Sequence, residues 1–548
     1  MSIKNKSGCG FIPVIGITAI LAGSAGAYYY LQGELPFLPN QGMSPLEAVE
    51  VVPESAFASG YLSTNAQSWK NVSQYGTPDA QQKMQKNIEQ WKTDSFSDKN
   101  INFEQDIQPW IDGVTFAFLA APKTAKIDDN IKILVVVGIN NKIKAAQFGK
   151  KLEQQPGMMS KEQKYQDIKI IETTQSNGDN FSWAVLGDRL ILAEETDTIK
   201  YAIDTFKGNP SYAEKPGVKE SFSDSLTLKN SFLQISIPNY GEMMTQVLAN
   251  TPQDLPETTL KQLEKIESIF LGIGAEKEGL HLQVIANITP ETLDDIPSSS
   301  AGKVLAEFPG STLIFMNGKG IDKGWSKLLT EGSKDPDGEA FINEIRQGFS
   351  QMNLDADREV FGWLDGEFGL GIINLGRGGI ANFGLGGMML LETSDRSTGQ
   401  QTLEKLNKLA QQNPSISLNQ RNINNIEVTE WTVPQQGVIF SYSWLNNQNL
   451  MMSLGTSLET IKTQKEQQTL QNNPNFQSTT ALLPNNNLGY FYVDINQVYT
   501  QFKAFSGSPV DPESQAIIES IQGLGMTVTF PNKTTSQLDL VLSIKSEK

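Results

Sequence analysis

Chemistry in this chain has few side chains to draw on. His281 is the one histidine and Cys9 the one cysteine among 548 residues. His281 lies in GLHLQVIANI, where Leu280, Leu282 and Val284 alternate with His281, Gln283 and Ile285. A period of two belongs to a strand, and it predicts the leucine face inward and His281 toward solvent. A later strand-like stretch, LDLVLSI, carries Asp539 in the corresponding place. A solvent-facing position accommodates both residues without a catalytic or metal role. With one histidine a Ser-His-Asp triad has little to rest on. A Cys-His pair or a Cys/His zinc site is excluded outside the N-terminal segment that holds Cys9.

SKDPDGEAFINE, from Ser333, has the spacing of a calcium loop if Gly338 is position six. Asp335 and Asp337 then take positions three and five and Glu344 position twelve, but Ser333 stands where a carboxylate is required. Thr77-Pro78-Asp79 repeats the pattern of Asp335-Pro336-Asp337. Both spell a capping residue, a proline at the first helical position and an acid near the positive end of the helix dipole, so two helix starts are expected. The glycine-rich run Gly366–Gly387 lacks Gly-Lys-Ser/Thr and any strand-turn-helix order, and it reads as a strand and its hairpin rather than a phosphate cradle. No metal and no cofactor are expected. Carboxylate pairs cannot be singled out among 61 acidic residues.

The most specific constellation is structural in type. QPWIDG holds Trp110, Asp112 and Gly113; FGWLDG holds Trp363, Asp365 and Gly366. Glycine supplies a positive φ that Asp tolerates nearby, so each stretch is expected to turn the chain into the next strand. Each tryptophan is expected to anchor that turn on the core; a ligand platform built from the two rings is the alternative.

The elements that must position these turns recur along the chain. Pro53 and Pro309 are 256 apart, as are Trp69 and Trp325, and Trp110 and Trp363 are 253 apart. SWAVLGDRLILAEETDTIKYAI from Ser182 resembles SWLNNQNLMMSLGTSLETIKTQ from Ser443, and LHLQVIANI resembles LDLVLSI. Small drifts of offset suit loop-sized insertions, so a tandem duplication is expected. The expected fold class is α+β, an N-terminal transmembrane helix followed by two duplicated domains with mainly antiparallel sheets. The boundaries read as a tail at 1–10, an anchor at 11–33, a proline-stiffened linker at 34–45, a first domain at 46–288, a linker at 289–301 and a second domain at 302–548.

Lys4 and Lys6 precede a run without charge from Ser7 to Gly33, long enough to cross a hydrocarbon core of roughly 30 Å. The flanking lysines predict a cytoplasmic N-terminus with the bulk of the chain exported. A cleaved signal peptide ending near Ala27 is the alternative; the apolar run continues past that site, which favours the anchor. The formal net charge of −17 opposes phosphate backbones, so nucleic acid is a poor partner.

With the anchor, VVPESAFASGYLS, PWIDG and LGDRLILAEETDTIKYAI in this order, the chain resembles the family of domain of unknown function 3352, found largely in cyanobacteria. The resemblance spans nearly the whole exported part. It implies a membrane-attached protein of a photosynthetic bacterium, its bulk in the periplasm or thylakoid lumen, and it carries over no catalytic or binding residue. The expected function is therefore non-enzymatic: a binding, scaffold or assembly factor for membrane or lumenal proteins. A carrier for an apolar ligand such as a lipid or pigment is the second reading, and a hydrolase using only carboxylates or serines the third.

Overall fold

The computed structural model describes residues 43–546 except 65, 97–100, 120–130, 155–158, 175–179, 223–225, 227, 229, 249–262, 290–298, 301, 335, 377, 381–382, 424 and 507–510. The expected tail and anchor, the spacer up to residue 42, most of the linker 289–301 and Asp335 lie outside the described residues. No helix among the described residues is long and apolar enough to cross a membrane. Within the expected spacer, Pro45 opens a helix, Pro45–Val49, with Ser44 and Glu47 forming a capping box.

The chain is α+β with antiparallel sheet, and it divides into two compact units. The first holds β1 Ala56–Leu62, β2 Ile111–Leu119, β3 Lys132–Ile139, β4 Met159–Tyr165, β5 Ile168–Thr174, β6 Asn180–Leu186, β7 Arg189–Ala193, β8 Ser231–Pro238, β9 Ile266–Glu276 and β10 Gly279–Ile288. Its strands pair in the order β4-β5-β6-β7-β3-β2-β1-β8-β9-β10, each pair antiparallel. The second holds β11 Thr312–Lys319, β12 Glu367–Asn374, β13 Leu385–Glu392, β14 Ser417–Ile423, β15 Ile426–Val433, β16 Gly437–Trp444, β17 Asn449–Leu454, β18 Tyr490–Val493, β19 Ile521–Asn532 and β20 Thr535–Ile544. Its order is β14-β15-β16-β17-β13-β12-β11-β18-β19-β20, again antiparallel throughout.

The sequence of β3, KILVVVGI, explains how the first unit is layered. An unbroken apolar run suits a strand covered on both faces. Leu134 and Val136 join a core with Ile170, Ile191, Ile199 and Ile203, whereas Val135 and Val137 join a second core with Trp69 and Trp110. In the second unit Phe308, Phe315, Ile373 and Tyr492 build one core and Trp363, Leu391, Leu403 and Leu450 another. Phe308 lies over β12 where its glycines leave room: a Cβ at Gly369 or Gly371 would come within 2.7 Å of that ring. The glycine-rich run thus forms a strand and the turn into its neighbour. Pro78 and Pro336 each open a helix, Pro78–Phe96 and Pro336–Gln351.

One expectation is reversed. His281 is 7% exposed and Gln283 and Asp539 are fully buried, while Leu280, Leu282 and Val284 are only half-buried. Polarity misassigned the faces because buried polar side chains are stable where they are hydrogen-bonded. Asp539, for example, accepts from Gln537 Nε2 at 2.8 Å.

Candidate functional site

A hollow of about 250 Å³ opens in the second unit between β14–β17 and the helix Leu458–Gln467. Ser457 starts this helix, its Oγ accepting from the Thr460 amide at 3.2 Å. Leu458 and Ile461 then fall three apart on the stripe that faces the sheet. The sheet supplies Ile426 and Val428 from β15 and Met451 from β17, with Ile423 and Leu445 at strand ends. Ser443 of β16 also lines the space, its hydroxyl already donating to the Glu427 carbonyl at 2.6 Å. The walls are therefore mostly aliphatic and sulfur-bearing, and offer an occupant chiefly dispersion contacts.

Charge is confined to the mouth, where Glu307, Glu459, Lys462, Lys465 and Glu466 stand. Lys465 pairs with Glu307 at 2.6 Å. Arg421 spans Glu430 at 2.7 Å and Glu459 at 3.2 Å, and its hydrogen bond to Glu430 raises its already high pKa. Lys462 reaches Glu466 only at 3.9 Å. An apolar chamber with ions at its rim is the arrangement that takes an apolar body and leaves a polar end in water. Among the described residues no cluster of three or more His, Cys, Asp or Glu side chains is placed to hold a metal ion.

At the same place in its pairing order the first unit is packed with side chains. There Ile168 and Ile170 of β5 pack with Ile199 and Ile203 of the helix Thr196–Phe206, and Tyr165 lies over them with its hydroxyl on Asp204 Oδ1 at 2.9 Å. Ile170, Ile199 and Ile203 are all fully buried.

The six Trp-x-Asp-Gly residues lie elsewhere, and none lines the hollow. A short π-helical turn precedes each stretch, Phe103–Ile107 and Ala356–Phe361. Each indole then donates four residues back, Trp110 to the Asp106 carbonyl at 2.7 Å and Trp363 to the Glu359 carbonyl at 2.9 Å. Trp110 is 3% and Trp363 6% exposed, so neither ring presents a face to a ligand. The glycines differ. Gly113 has φ +74°, and a Cβ there would strike the Tyr61 hydroxyl. Gly366 is absent from the positive-φ region, contrary to the expectation; it is required because a Cβ would come within 2.4 Å of the Glu392 carbonyl oxygen. The aspartates differ too. Asp112 accepts from the Met43 amide at 2.9 Å, and burial raises its pKa above the ordinary 3.8. Asp365 is also pushed up by burial, but the Ser394 hydroxyl and amide both donate to it and bring it below that value.

Sequence reading missed the hollow because a cavity is an absence of atoms, and its walls look like any core. The available signal lay in the shared Thr-Ile-Lys of the two helices, Thr198–Lys200 and Thr460–Lys462, which sets Lys465 where the first unit has Ile203.

The chain belongs to the family described as Protein of unknown function (DUF3352), whose model matches residues 14–544. No curated protein matches it. Solved chains described as crystal forms IV and III of TP0453 are each 12% identical, with TM-scores of 0.26, covering 44% of this chain and 80% and 79% of theirs. A third, crystal form I of TP0453, is 13% identical with a TM-score of 0.25, covering 45% of this chain and 80% of its own.

Proposed function

We propose that this is a non-enzymatic binding protein for an apolar ligand, held in the hollow beneath the helix Leu458–Gln467. The single supporting observation is that chamber: seven apolar side chains line about 250 Å³, with charge only at the rim. Ligand pockets run to roughly 300–1,000 Å³ and are mostly apolar with few polar groups, so this one shares their character and lies just below their size. The test is uptake of a fluorescent apolar probe by the full chain and by Val428→Phe and Ile461→Phe, each checked for native unfolding behaviour. The reading expects saturable one-to-one uptake by the parent and its loss in the filled variants. No uptake by the parent, or undiminished uptake in both folded variants, sinks it.

We further propose that the chain is a tandem duplication held to a membrane by residues 11–33, with its N-terminus cytoplasmic and both copies in the periplasm or thylakoid lumen. The shared pairing order of β1–β10 and β11–β20 supports the duplication. Lys4, Lys6 and the uncharged run support the anchor. Carbonate washing should leave the protein in the membrane fraction, and recovery of a soluble chain starting near Tyr28 would establish a cleaved signal instead.

A second reading, a scaffold for membrane or lumenal proteins, is favoured by exposed apolar side chains on one sheet face. Met316 is 41%, Ile372 39% and Leu454 46% exposed, with Ile372, Gly387 and Leu454 in register across β12, β13 and β17. A specific co-purifying protein lost on Ile372→Lys and Leu454→Lys would establish that role; unchanged recovery would dismiss it.

A further inference from the structure

We infer that the ligand is a single-chain amphiphile with an anionic oxygen headgroup, its tail in the hollow and its headgroup on Lys462. This rests on the apolar-ligand reading above and adds the chemical class. Size sets the tail. At roughly 30 Å³ per water-sized group, about 250 Å³ takes around eight methylenes. That matches one alkyl chain better than a two-chain lipid or a pigment macrocycle.

The mouth sets the headgroup. Three of its five charges are already engaged: Lys465 with Glu307 at 2.6 Å, and Glu459 with the neighbouring Arg421 at 3.2 Å. Two remain loosely coupled, Lys462 and Glu466, at 3.9 Å, beyond hydrogen-bond length. Glu466 is 65% exposed at its side chain and well solvated, whereas Lys462 is 42% exposed. Lys462 follows Ile461, which lines the hollow, and belongs to the rim itself. The less hydrated member of a loose pair gains more from a new counter-ion, because its water shell is already incomplete and an ionised acceptor bonds an ammonium more strongly than a neutral one. A carboxylate or phosphate at the end of a buried tail meets that ammonium without breaking the Lys465–Glu307 pair. A cationic headgroup would find Glu459 and Glu307 occupied and Glu466 held in water.

Calorimetric titration of the full chain with four eight-carbon probes below micelle-forming concentrations tests this: octanoate, octyl phosphate, octanol and octyltrimethylammonium. The expected result is preference for one or both anions over octanol by roughly five- to tenfold, with the cation weakest. Octanoate and octyl phosphate separate a fatty-acid from a phosphoryl source. Lys462→Gln should erase the preference while octanol affinity stays within about twofold. Equal binding of anion, alcohol and cation, a preference for the cation, or an anion preference that survives Lys462→Gln overturns the headgroup inference and leaves the apolar-ligand reading standing. If no probe binds the parent, the apolar-ligand reading itself falls.

Discussion

The helices Thr196–Phe206 and Leu458–Gln467 occupy the same place in two identical pairing orders and share a Thr-Ile-Lys sequence, Thr198-Ile199-Lys200 and Thr460-Ile461-Lys462. Four residues after the shared isoleucine the first helix has Ile203 and the second Lys465. Ile203 is fully buried and completes a core with Ile170 and Ile199. Lys465 extends its ammonium to Glu307 and leaves the equivalent volume unfilled. Positions i and i+4 lie on one helical face, so this difference falls on the face toward the sheet, which packs with Tyr165 and Ile168 in the first unit and borders the hollow in the second. Unequal use of one frame is the lesson: the fold tolerates the hollow because the surrounding β-ladder is intact in both units.

The largest effects should come where the units are alike. Trp110→Ala and Trp363→Ala should each cost about 3–5 kcal/mol, because both rings are buried and both N–H groups are satisfied. Urea unfolding checks this. A variant that unfolds like its parent would show that its turn does not depend on the ring.

Next comes the pair that should differ. Ile203→Ala removes contacts on every side and should cost about 2–5 kcal/mol. Ile461→Ala faces a space that already lacks partner atoms and should cost clearly less, since there is less dispersion to lose. Equal losses in urea midpoint at unchanged slope would mean that the chamber is packed in solution, and the comparison would collapse.

The turn glycines come third. Gly113→Ala forces a positive φ on a side chain, roughly 1–2 kcal/mol, and drives a Cβ into Tyr61. Gly366→Ala meets the Glu392 backbone instead. Tyr61→Phe removes the hydroxyl at 2.6 Å and should recover part of the first loss and none of the second, as read from a double-mutant cycle.

The smallest difference is one of sign. Asp365 has a folded pKa below 3.8, so the stability it contributes is present above that value and is lost as pH falls through the folded pKa. Asp112 has a folded pKa above 3.8, so its contribution is full below 3.8 and is lost as pH rises through the folded pKa. Above about pH 5, Asp365→Asn should therefore lower the melting temperature and Asp112→Asn should raise it or leave it level. Once the pH has fallen below the folded pKa of Asp365, both variants should approach the parent. Shifts of the same sign would show that the two carboxylates see the same surroundings.

Much of the frame was legible because periodicity reports it directly. KILVVVGI read as a strand, and Thr77-Pro78-Asp79 announced a helix. The faces of β10 were misread because His281 and Gln283 are polar, and a period of two states that faces alternate without stating which is inward. Gly366 was assigned the wrong reason: sequence cannot distinguish a glycine needed for φ from one needed for a close backbone approach. The chamber was least legible of all. Ile423, Ile426, Val428, Leu458 and Ile461 are core residues by type, and only Lys465, set beside Ile203, breaks the pattern.

The central pairing of each unit also governs how slowly it can be made. β1 meets β8 with Ser59 opposite Ser236, and β11 meets β18 with Phe315 opposite Tyr492, separations of 177 residues in both cases (236 minus 59, 492 minus 315). At roughly 5–20 residues per second of synthesis, the earlier strand is finished about 10–35 s before its partner exists. One edge of the middle of the sheet therefore stands open through most of each unit's synthesis, a template for unrelated strands. Long-range closure of this kind places the units among slow folders and makes the newborn chain, rather than the finished one, the form most in need of protection from aggregation.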